Sequence, residues 1–139
     1  MEPTVLSSLL RIDRCRRRAV KCALAPYQYV GVMHLIALYV SRNPGASQEE
    51  ITNFYAMDKT SVARDARRLE DLGHIRRETV PENRRQYQLF LTEKGRAMIP
   101  VIDDVMEQFQ KTLSVGISAE EWRQLAALLK RLEENVCIL

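Results

Sequence analysis

The chain has 139 residues, 46% of them apolar and 28% charged, which suits one compact domain with a real core and excludes a disordered chain. Its longest apolar stretch, Tyr29 to Val40, is interrupted by His34 and is too short for a bilayer, and no basic-then-apolar leader opens the chain, so the expected setting is cytoplasmic with no membrane partner. The formal charge is only +3, but residues 1–85 carry 15 Lys/Arg against 10 Asp/Glu while residues 86–139 carry 6 against 8, so the first part is where a polyanion would bind.

Val5 to Leu24 has Val5, Leu9, Ile12, Ala19 and Ala23 on one stripe with arginines between them, which predicts a long helix. A second helix is expected to start near Pro26 and run to about Arg42, with Tyr29, Val32, Ile36 and Tyr39 at helical spacing. Ser47-Gln48-Glu49-Glu50 reads as a capping box opening a short helix that carries Ile51 and Phe54. Asp58 caps the next helix, which buries Val62, Ala66, Leu69 and Leu72 and ends at Gly73, a residue suited to a left-handed helix end. Two short helices so joined form a helix-turn-helix. Ile75 to Val80 and Gln86 to Leu91 are β-prone runs around Pro81-Glu82-Asn83-Arg84-Arg85, a hairpin with a basic tip, with Tyr87, Leu89 and Leu91 expected to point inward.

Thr92 can cap a long helix with Met98, Ile102, Val105, Phe109 and Leu113 on its stripe, where Pro100 should kink the helix or remove a backbone bond. Ser118-Ala119-Glu120-Glu121 is a second capping box, followed by Trp122, Leu125, Leu129, Leu132 and Val136 at spacings of three and four. Narrow apolar stripes at both chain ends call for a partner, and a second copy of the chain is the economical one.

Burying the apolar stripe of the second short helix leaves Thr60, Ser61, Arg64, Arg67 and Arg68 on its other side. Arginine pairs bidentately with guanine O6 and N7, and hydroxyls bond base edges or phosphates, so these are groove-reading residue types, with Asp65, Glu70 and Asp71 at hand to hold the arginines. Arg84 and Arg85 on the hairpin suit the adjacent minor groove.

The run from Gln48 to Gly95 resembles the winged helix-turn-helix of the MarR family of transcriptional regulators. The resemblance rests on Thr60-Ser61-Val62-Ala63-Arg64, Arg68-Leu69-Glu70, and Leu72-Gly73 leading into Ile75 and Arg77. A wing pattern of Asn83-Arg84-Arg85, Leu91-Thr92 and Gly95 completes it, and Gln28 extends the match upstream. Asn83 stands where the family usually has aspartate, and Ala63 where threonine is common. The resemblance implies a mostly α fold with a small β-hairpin wing, one domain over residues 1–139, in which 26–95 bind DNA and helices from both chain ends, 1–25 and 96–139, build a dimerisation region. It implies a homodimer that binds a pseudo-palindromic operator in double-stranded DNA, most often as a repressor, without catalysis. It also implies a small aromatic or amphipathic ligand that loosens DNA binding, with Arg16, Tyr27, His34 and Tyr39 as candidate lining residues, although each suits a structural or surface role better.

Cys15, Cys22 and Cys137 have neither disulfide-framework nor metal-ligand spacing, and no metal or other cofactor is expected. Cys15 lies beside Arg14, Arg16, Arg17 and Arg18, whose charge favours a thiolate, so a redox-responsive regulator is one rival reading; Cys22 and Cys137 read as core or interface fillers. A winged-helix module that docks acidic protein partners is the other.

Overall fold

The computed structural model describes residues 4–137, apart from the side chains of Arg84 and Arg85. The described residues form α1 (Val5–Leu24), a 3-10 turn (Ala25–Tyr27), α2 (Met33–Arg42), α3 (Gln48–Tyr55), α4 (Lys59–Asp71), β1 (Ile75–Val80), β2 (Asn83–Leu91), α5 (Glu93–Leu113) and α6 (Ala119–Cys137). This is the expected mostly helical fold with a two-stranded antiparallel hairpin. The chain divides into two units, Met1–Met106 and Glu107–Leu139. No helix among the described residues is long and apolar enough to cross a membrane.

Local sequence signals set most helix ends. Ser47 Oγ accepts the Glu50 amide at 3.1 Å, and Asp58 accepts the amides of Thr60 and Ser61 at 3.3 and 3.0 Å, so each short helix has the side-chain acceptor its first amides need. Gly73 closes α4 at φ +77, and the amide of His74 reaches back to the Leu69 carbonyl at 2.9 Å. Thr92 Oγ1 accepts the Gly95 amide at 3.2 Å and donates to the Gly73 carbonyl at 2.6 Å, which ties the start of α5 to the end of α4. Helix α5 runs through Pro100, which is exposed; having no N–H, the proline omits one backbone bond there.

The first unit has one core. Met33 and Ile36 of α2, Ile51 of α3, Val62, Ala66 and Leu69 of α4, Leu89 of β2 and Ile102 of α5 are fully buried, joined by Val20 and Leu24 of α1. Each fully buried large aliphatic side chain contributes roughly 1.5–3 kcal/mol, so this cluster holds α4 and the hairpin in place.

Three expectations are corrected. The second helix begins at Met33 rather than Pro26, because Gln28 at φ +64 and Gly31 at φ +55 turn the chain out of helical geometry after the 3-10 turn. The second strand begins at Asn83 rather than Gln86, so Arg84 and Arg85 belong to a strand backbone, and a register shift falls between Thr79 and Val80. Tyr87 shares the face of Leu89 but is 40% exposed, because it lies on the distal half of the hairpin where the core no longer extends beneath it; its ring instead meets the Arg77 guanidinium at 5.5 Å. Leu89 and Leu91 are buried as expected, and β2 gains a further neighbour: Leu89 pairs with Ala46 through bonds of 2.9 Å from its amide to the Ala46 carbonyl and from the Gly45 amide to its own carbonyl.

In α1 the core contacts are Val20 and Leu24, one position beyond the expected Ala19 and Ala23, while Val5, Leu6, Leu9, Leu10 and Ile12 are exposed. The second unit contains the end of α5 and α6. Both arms of the Ser118 capping box form: Glu121 donates its amide to Ser118 Oγ at 3.1 Å, and the Ser118 amide donates to Glu121 Oε1 at 2.9 Å. No described residue of α6 is buried, although Trp122 and Leu129 are half-buried.

Candidate nucleic-acid interface

Helix α4 has two chemically distinct faces. Val62, Asp65, Ala66 and Leu69 are buried, while Thr60, Arg64, Arg67 and Arg68 are exposed and Ser61 is half-buried. The Ser61 hydroxyl donates to Asp58 Oδ2 at 2.7 Å, so it braces the helix start. Those hydrogen bonds hold the Asp58 carboxyl below the usual carboxylate range.

The buried acid on this helix is the feature that periodicity could have found and residue type concealed. Asp65 lies three residues after Val62 and one before Ala66, on the core stripe, and its side chain is fully buried. Its Oδ1 accepts Arg68 Nη1 at 2.9 Å and Arg64 Nε at 3.3 Å, and its Oδ2 accepts the Val32 amide at 2.9 Å. Asp65 therefore serves two roles, capping the start of α2 and tethering two arginines of the exposed face. Glu70 pairs with Arg77 of β1 at 2.5 Å, holding the base of the hairpin to α4 rather than an arginine of α4 itself.

Arg84 and Arg85 lie in the β2 backbone, and their side chains fall outside the described residues. On the facing strand, Arg76 lies 4.6 Å over the Phe90 ring.

The first unit also holds a cavity of about 380 Å³, lined by residues that include Arg16, Val20, Leu24, Tyr29 and His34. Of the four candidate ligand residues it brings together Arg16 and His34. Tyr27 is exposed outside it, and Tyr39 packs at a tilt against Phe54 and edge-on to Tyr55, at centroid distances of 5.0 and 6.2 Å. His34 is 3% exposed, and its Nε2 has no hydrogen-bond partner among the described residues. Burial, then the charge of Arg16, lowers its pKa to about 4, against a smaller opposing effect of the Gly31 backbone. Arg16 itself pairs with Asp13 at 2.9 Å. Sequence spacing places Tyr29 only on a helix stripe and does not mark Val20 and Leu24 as lining residues, because the turn after α1 that joins them has no local sequence signature.

Cys15, Cys22 and Cys137 are all exposed, so Cys22 and Cys137 are not core fillers of this chain. No group of three or more His, Cys, Asp or Glu among the described residues could hold a metal ion.

A MarR family model matches residues 33–86, which span α2 to the start of β2. The crystal structure of MarR is 32% identical, covering 99% of this chain and 95% of that one with a TM-score of 0.85. The transcriptional regulator SlyA is 29% identical over 95% of this chain and 93% of that one, with a TM-score of 0.90. The fold likewise matches a MarR family regulator from Listeria monocytogenes complexed with a 26mer DNA, at 24% identity, 98% and 90% coverage and a TM-score of 0.91. With its helix-turn-helix and hairpin in the matching order and its whole length aligned to MarR, the chain belongs to the MarR family, whose members are transcriptional regulators rather than enzymes.

Proposed function

We propose that the chain is a ligand-responsive repressor that binds a pseudo-palindromic operator in double-stranded DNA as a homodimer. Residues 26–95 form the DNA-binding part, and residues 1–25 and 96–139 supply the dimerisation helices. Thr60, Ser61, Arg64, Arg67 and Arg68 meet the major groove, and Arg84 and Arg85 the adjacent minor groove. The observation that carries this reading is the exposed face of α4, where three arginines stand opposite a fully buried stripe, so the helix is anchored by one side and presented by the other. The cavity beside Arg16 and His34 supports the ligand-responsive part, since its volume suits a small aromatic or amphipathic molecule.

Selection of duplexes from a random library tests the reading. The wild-type chain should enrich a two-fold-related sequence, with log affinity falling against log salt by about 0.9 per phosphate neutralised. Arg64→Ala should relax preference at one major-groove position and cost about 1–3 kcal/mol there. Tight binding indifferent to salt, or an Arg64→Ala profile identical to the wild type, would overturn it.

A further inference from the structure

An aspartate is rarely buried outright unless its charge is matched. Asp65 has no exposed surface and is matched from two directions, by the arginines of its own helix and by the Val32 amide at the start of α2. Its carboxylate is held by bonds to the Val32 amide, Arg64 and Arg68, and Gly31 leaves the room it occupies: a Cβ on Gly31 would lie 2.3 Å from Asp65 Oδ2. The arginines, by contrast, are 52% and 47% exposed at the side chain, so each guanidinium has one end at the anchored carboxylate and the other in solvent.

The donor atoms involved decide what remains for DNA. Arg64 uses Nε on Asp65, which leaves its two terminal nitrogens as the end-on pair that can face guanine O6 and N7. Arg68 uses Nη1, which leaves Nε and Nη2. We propose that Asp65 is a positioning residue for sequence reading: it fixes the guanidinium groups of Arg64 and Arg68 in their reading orientation and weakens their general attraction to phosphate. This rests on α4 being the reading helix.

The two effects have opposite signs on specific and random DNA. Holding a long side chain in its bound orientation before DNA arrives favours the sequence that accepts that orientation. The buried negative charge offsets one of two positive charges, which lowers affinity for any duplex. A purely structural ion pair would act differently, since its loss would lower stability and both affinities together.

The test compares the full-length wild type with Asp65→Asn on the selected duplex and on a random duplex of equal length, at several salt concentrations. Asparagine keeps the shape and an acceptor for Val32 but removes the charge. The ratio of specific to random affinity should fall at least about tenfold, while random-duplex affinity holds or rises and its salt slope steepens by about 0.9. An unchanged ratio, or both affinities falling in step with the melting temperature, would overturn the proposal. A wild-type chain that prefers no sequence overturns the reading of α4 and the proposal with it; a selective wild type matched by an equally selective Asp65→Asn overturns the proposal alone. Should Asp65→Asn fail to fold, proton NMR of the wild type decides: the Arg64 Nε–H should be resolved and slow to exchange without DNA, and exchange at the rate of free arginine would overturn the proposal.

Discussion

Tyr29 and His74 stand 45 positions apart in the chain, yet the Tyr29 hydroxyl lies 2.7 Å from His74 Nδ1. The bond joins the turn ahead of α2 to the loop that follows α4, so the C-terminal end of the candidate reading helix is held to the start of α2. Burial pushes the Tyr29 hydroxyl well above its ordinary pKa, and burial, then the charge of Lys94, lowers that of His74. Both groups are therefore neutral at pH 7, and one hydrogen is shared between them.

Removing that hydroxyl should loosen the first unit without emptying its core. Tyr29→Phe keeps the buried ring but deletes the bond, and because His74 is only half-buried its nitrogen can turn to water. The expected cost is about 1 kcal/mol, read as a lower midpoint in urea with an unchanged slope. An unshifted midpoint would show that the contact contributes nothing to stability.

The buried His34 predicts acid sensitivity. Its folded pKa is about 4 against about 6.5 unfolded, so between those values the unfolded chain binds more protons and stability falls as pH falls. The loss begins below about pH 6.5 and reaches about 3 kcal/mol by pH 4. His74, also lowered, acts in the same direction. Denaturation at pH 7 and pH 4.5 should show a steeper loss for the wild type than for His34→Gln; equal losses would mean that His34 protonates as readily folded as unfolded.

Local chemistry was readable where the cause is local. Ser47, Asp58 and Ser118 cap the helices they precede, and Gly73 takes its positive φ, because each signal acts within about four residues. The start of α2 was not readable, because the Val32 amide is satisfied by Asp65, 33 positions away, while Pro26 opens only the short 3-10 turn ahead of it. Asp65 holds Arg64 and Arg68 as its charge and spacing suggest, while its burial follows from its place on the stripe of Val62, Ala66 and Leu69. On the hairpin, alternation found Leu89 and Leu91 but carried Tyr87 inward with them, since a period of two says which face a residue takes and not how far the core extends beneath it.

Gly31 should tolerate no side chain. At φ +55 an alanine is strained, and its Cβ would displace the Asp65 carboxylate from a site where it is fully buried. Gly31→Ala should therefore destabilise the chain by about 2–3 kcal/mol, more than the strain alone, which is roughly 1–2 kcal/mol. Gly73→Ala supplies the comparison, because its φ of +77 carries similar strain while nothing lies within 4 Å of the added carbon. Equal losses in the two variants would show that Asp65 yields without cost.

The final prediction concerns assembly, on which the spacing of two reading helices depends. Along α6, Leu125, Leu128, Leu132 and Val136 are 41–63% exposed, and Leu129 is half-buried, an apolar density unsuited to a solvated helix. Burying a large aliphatic side chain contributes roughly 1.5–3 kcal/mol, so a few such residues from each copy suffice for a dimer that persists at low concentration. In such a dimer the two α4 helices would enter successive major grooves about 34 Å apart. Leu129→Asp places a charge in that stripe and should lower dimerisation, thermal stability and operator affinity together, although the substitution lies far along the chain from Arg64. Sedimentation at micromolar concentration decides it: a folded wild-type monomer that binds its operator as one chain would overturn the dimer.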